Sequence, residues 1–156
     1  MTDKSCFTDD EWHALTEAPL LVTTAVFLAG EHGPISMIKE ASASARAIAQ
    51  PGEHGVANQL IGEIVAEANT KEARAEMKDD MKEHRGPTVQ VAIEGVLTEL
   101  APAAAALRKL PALEAAEVAG WFLDIATAVA ASAKSVNPDE QTTIDKIRAL
   151  FVVSSD

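Results

Sequence analysis

"ALEAAEVAGWFLDIATAVAASAK", residues 112–134, decides how this chain is read. Ala115, Val118, Phe122, Ile125, Ala126, Val129 and Ala133 recur there three or four residues apart. That spacing lines one face of a helix with about 3.6 residues per turn, whereas a half-buried strand alternates every second residue. Pro111, just before the stretch, is expected to end the preceding helical segment "AAAALRKL". The spacing predicts the longest helix of the chain and makes it the candidate centre of the core.

The same period runs outward in both directions. Downstream, Asn137 is an expected N-cap, with Pro138 at the first helical position and Glu140 two residues on. Ile144, Ile147, Leu150 and Phe151 then form the buried stripe of a last helix. Upstream, "TVQVAIEGVLTEL" places Val89, Ala92, Ile93, Val96, Leu97 and Leu100 on one face. Pro102 is expected to kink or split that helix, since proline lacks the amide donor and clashes with the preceding turn. Earlier still, "VANQLIGEIVAEANT" carries Val56, Leu60, Ile61, Ile64, Val65 and Ala68 inward and Glu63 and Glu67 outward. "PISMIKEASASARAIAQ" does the same with Ile35, Ile38, Ala41, Ala45 and Ile48.

The N-terminal region opens on a capping box, in which Thr8 caps the helix and Glu11 reaches back to it. Phe7 and Trp12 fit the accompanying hydrophobic staple. The residue before a proline avoids the helical region, so this helix is expected to stop near Pro19. A second, almost wholly apolar helix follows to Ala29. Residues 71–85, "KEARAEMKDDMKEHR", carry only a thin stripe of Ala73, Met77 and Met81 among charges of both signs. They read as a solvated helix at the bundle edge, or as a partner-binding one. No useful length alternates with period two. The expected fold is all-α: one domain over residues 1–156, a bundle of about seven to eight helices with no sheet, frayed at 1–6 and 152–156.

Composition agrees and removes several functions. The chain has 156 residues, 47% hydrophobic and 24% charged, a size and balance that suit one packed domain. Roughly a fifth of it is alanine, the best helix former. There are 13 basic against 24 acidic residues, for a net charge of −11. Phosphate backbones and anionic lipid surfaces both select basic proteins, so neither nucleic acid nor membrane is an expected partner. The most apolar run, "APLLVTTAVFLAG", has 13 residues, short of the ~20 that span a bilayer. The N-terminus has no apolar signal segment, and the single cysteine, Cys6, cannot form an internal disulfide. A cytoplasmic protein is expected.

Candidate sites are few. "GEHG" occurs at 30–33 and again at 52–55, with "EHRG" at 83–86. Glu31, His32, Glu53 and His54 are the right residue types for a divalent metal. The competing reading is that the glycines end helices and each histidine faces a helix's negative end. Di-iron bundles need a Glu-x-x-His pair on two helices; Asp10-x-x-His13 is the nearest approach. The chain contains no HExxH, CxxC, EF-hand, P-loop or GxGxxG motif. Asp124 stands inside the apolar helix between Leu123 and Ile125. Solvent exposure, a buried ion pair with Lys39 or Arg46, and a functional carboxylate are its three readings. Trp12 and Trp121 read as core anchors or as ligand-stacking rings. No serine or threonine has an evident base beside it, so no catalytic residue is named, and no cofactor is expected.

Two stretches, from Thr24 and from Thr127, share "TAV", a short loop, a proline and a following amphipathic helix, the outline of a duplicated αα-hairpin. The second, "WFLDIATAVAASAKSVNPDEQTTIDKIRALF", resembles the helix–loop–helix of bacterial tellurite-resistance TerB-like domains, through Ala130, Ala133, Val136, Glu140, Ile144 and Ile147. That resemblance covers about a fifth of the chain. It implies a helical bundle and a stress-response protein that binds metal ions through acidic residues near such loops. Lys134 and Ser135 stand where that family tends to place an acidic residue and a glycine. The chain is also similar to uncharacterised bacterial all-helical proteins of its length. The function expected from the residues is non-catalytic, by partner binding or self-association as a homo-oligomer. The alternative is TerB-like metal binding.

Overall fold

The computed structural model describes residues 4–29, 58–68, 89–131 and 138–152. All of the regular structure among them is helical. A single 3-10 turn, Lys4–Cys6, leads into α1, Asp9–Ala29. Then follow α2, Asn58–Ala68; α3, Val89–Leu107; α4, Ala112–Ala131; and α5, Pro138–Val152. None of these helices is long and apolar enough to cross a membrane. The all-α reading holds for the described residues. The expected helices over 34–49 and 71–85 lie outside them.

Two expectations are corrected. Pro19 does not end the first helix but sits inside α1. Of the two outcomes expected at Pro102, a kink or a split, the split is excluded, because α3 runs through it as one helix. In α1 the buried series Leu15, Ala18, Val22, Ala25 and Ala29 passes Pro19 without losing phase. In α3, Ile93, Val96, Leu100, Ala103 and Leu107 do the same past Pro102. A proline costs a helix interior about 3 kcal/mol. Burying the side chains on both sides of it in one common core recovers more, at about 25 cal/mol per Å² of apolar surface.

The second correction concerns the centre. The candidate was the helix beginning at Ala112, but α1 is the hub: it packs against α2, α3, α4 and α5, most densely against α3. Helix α5 also packs on both α3 and α4. The consecutive helices α3 and α4 therefore stand at opposite corners, with α1 and α5 between them. The turn that separates them is tight. The Arg108, Lys109 and Leu110 amides donate to the Ala105, Ala106 and Leu107 carbonyls at 3.0–3.2 Å, the 3-10 closure common at helix ends.

One hydrophobic cluster fills the interior and includes side chains from all five helices. Its aromatic part joins α4 to α5. Phe122 lies 5.4 Å from Trp121 and 5.2 Å from Phe151, ring centre to ring centre, within the range of favourable aromatic pairs. Alanines make up much of the buried surface: Ala14, Ala18 and Ala25 in α1, Ala103 and Ala106 in α3, Ala126 and Ala130 in α4. A larger side chain there would force the axes apart.

Candidate functional site

The residues first singled out fall in different places. Glu31, His32, Glu53 and His54 lie outside the described residues, as do Lys39, Arg46, His84 and the charged stretch 71–85. Among the described residues no three His, Cys, Asp or Glu side chains converge as a metal site would require. Asp124 is exposed, as the first of its three readings has it, which excludes the buried ion pair. Trp12 and Trp121 are both buried core anchors. His13 is exposed and pairs with Glu17 one turn on, at 2.9 Å. Cys6 is an exposed free thiol. Thr24 is buried, whereas its counterpart Thr127 in the suspected duplication is exposed, so the two "TAV" segments meet different surroundings.

Two surface features remain. The first is the outer face of α3. Its exposed residues are Val91, Glu94, Thr98, Ala101, Pro102 and Ala105. At about 100° per residue these six fall within an arc of about 100°. Val91 is 50% exposed, one of two large apolar side chains so placed among the described residues. The one charge on the face, Glu94, is met by the Lys146 ammonium from α5 at 2.9 Å. Among the described residues the face is otherwise apolar or small apart from the Thr98 hydroxyl, and its one carboxylate is paired. The outer face of α4 differs: Leu113 is exposed there, but the carboxylates Glu117 and Asp124 accompany it.

The second feature is a cleft at the N-terminal corner. The capping box forms as expected: the Glu11 amide donates to Thr8 Oγ1 at 3.2 Å, and the Glu11 carboxylate takes the Thr8 amide in return. The staple forms too, with Phe7 and Trp12 rings 6.1 Å apart. Together they turn the chain back over the start of α1. The Lys4 amide donates to Glu63 Oε2 of α2 at 3.1 Å and holds the turn there. Lys4, Ser5, Phe7, Asp9, Trp12 and Glu63 enclose an open cleft of about 440 Å³. On the other side of the helix start, Lys109 reaches Glu11 at 2.6 Å. That hydrogen bond, and the ammonium charge behind it, hold the Glu11 carboxyl below its ordinary range.

Two carboxylates are buried: Glu140, expected only as a first-turn residue of the last helix, and Glu114, which the sequence did not single out. Each lies in the first turn of its helix, α4 or α5, where the backbone amides and the helix dipole favour a carboxylate. Their positions at helix starts were legible; their burial depends on packing and was not. No protein-family model, no curated protein and no solved structure matches this chain.

Proposed function

We propose that this protein acts without catalysis, by association, and that its first partner is a second copy of itself docked along the outer face of α3. The observation that carries this reading is the neutrality of that face. A chain with net charge −11 repels its own copies. Two molecules meet at least cost where no unbalanced charge faces the partner. The face of Val91, Thr98, Ala101 and Ala105, with Glu94 balanced by Lys146, is such a place. Its small side chains let a second helix approach closely, and a two-fold axis would set α3 against α3.

Sedimentation across a concentration range tests this. The expected result is a dimer that weakens at low salt, where charge repulsion is least screened. Ala101→Asp and Ala105→Asp should each shift it to monomer, while Ala149→Asp on the exposed side of α5 should not. A strict monomer for the parent chain at high concentration sinks the reading. A competing metal-binding reading rests on two separate grounds, the TerB-like sequence of the 121–151 hairpin and the residue types of Glu31, His32, Glu53 and His54. Metal analysis of the purified chain and of a His32→Ala/His54→Ala variant decides it: no metal retained and no stabilisation by divalent ions removes it.

A further inference from the structure

We propose that the cleft between the N-terminal turn, α1 and α2 is a binding site for an organic ammonium ion, with the Trp12 ring face receiving the cation and Asp9 and Glu63 supplying countercharge. Three observations meet there. The first is a cation already at the ring: the Lys4 ammonium lies 5.9 Å from the Trp12 ring centre. That is close to the ~6 Å limit of a cation–π contact. The Lys4 main chain is anchored to Glu63, while its side chain lies over a Trp12 ring that is 5% exposed. An incoming ammonium therefore takes the ring face by displacing that side chain. The second is charge. Asp9 and Glu63 both line the cleft, and among the described residues Lys4 is its one cation, so the described walls carry a net negative charge. The third is shape. Phe7 packs against Trp12 at a 33° tilt and makes an apolar corner for an alkyl chain. A volume of about 440 Å³ falls in the range of small-molecule sites. The acidic chain as a whole also concentrates cations near its surface.

Lys4 is thus an internal competitor for the position, and the ligand class is a primary alkylamine. None of the residues that line it belongs to the α3 face, and the proposal does not depend on self-association.

The test is a titration of the full chain with butylammonium chloride at constant ionic strength, with 1-butanol as the uncharged control. The chain has two tryptophans, so two indole N–H resonances report on it. The Trp12 resonance should shift saturably with the amine and not with the alcohol, while that of Trp121, sealed in the core, stays in place. Glu63→Gln retains an oxygen for the Lys4 amide and should weaken binding at least threefold. Asp9→Asn should act in the same direction. Lys4→Gln should tighten binding at least threefold. A Trp12 resonance that does not saturate, an equal response to 1-butanol, a Glu63→Gln variant that binds as tightly as the parent, or a Lys4→Gln variant that binds no more tightly each overturns the proposal.

Discussion

Helices α1 and α3 each carry a proline past their first turns, yet they live in different surroundings. Pro19 of α1 is buried at the hub, and Pro102 of α3 is exposed at a corner. Neither can donate the amide hydrogen bond to the carbonyl four residues back, Leu15 or Thr98. At Pro102 the ring touches solvent, and water can serve the Thr98 carbonyl. At Pro19 the ring itself is packing. Around it, threonine hydroxyls bond to backbone carbonyls: Thr23 Oγ1 donates to Pro19 at 2.9 Å, Thr24 Oγ1 to Leu20 at 2.8 Å and Thr16 Oγ1 to His13 at 2.9 Å. The lesson is that the same residue costs a helix differently according to what its ring touches. Among the described helices, α1 packs against α2, α3, α4 and α5, whereas α3 packs chiefly against α1 and α5.

The largest effect expected from this contrast is in the core. Leu15→Ala, at a site of 0% exposure in α1, should lower unfolding stability by about 2–5 kcal/mol. Val91→Ala on the outer face of α3 should change it by less than about 0.5 kcal/mol. Urea unfolding of the two variants measures both. Equal losses would mean that the outer face of α3 is covered in the folded monomer, against its observed exposure.

The proline pair gives a smaller and sharper test. Pro102→Ala restores a helix hydrogen bond and loses no packing. Set against the ~3 kcal/mol cost of an interior proline is the freedom regained by the unfolded chain, up to about 1 kcal/mol. A net gain of about 1–2 kcal/mol is expected. Pro19→Ala should gain less, or lose, because it also empties space at the hub. Thermal melts that rank Pro19→Ala above Pro102→Ala would break the comparison.

The smallest expected effect concerns pH. The Glu11 carboxyl is held below its ordinary range by Lys109. Its contribution to stability is therefore complete above the unfolded-state pKa and is lost as pH falls through the lowered folded-state value. Lys109→Gln should reduce the acid-side loss of stability slightly, and high salt should blunt the difference because the pair is solvent-facing. An acid limb identical in parent and variant would show that the pair does not couple to folding.

Much of the secondary structure was legible. The stripes of α2, α3, α4 and α5 are buried largely as their spacing implies. The Thr8–Glu11 box and the Phe7–Trp12 staple both form, because a cap is a contact among residues a turn apart. Pro19 was misread because the proline rule is local, while the signal that outweighs it extends along the chain: the apolar phase from Leu15 to Ala29 never resets. That signal was available in the sequence. The two surface features were not. The neutrality of the α3 face needs Lys146, 52 residues from Glu94, and the cleft needs Glu63, 59 residues from Lys4.

Period, caps and charge balance come from neighbours along the chain. By themselves they determined that this protein is helical, where most of its described helices start, and that its surface is acidic. Which helix sits at the hub, whether a proline interrupts or is absorbed, and which side chains from distant segments share a cleft were decided only in three dimensions. The physical reason is that a helix is stabilised by bonds within a turn, whereas its place in the bundle is chosen by the apolar area that all the helices can bury together.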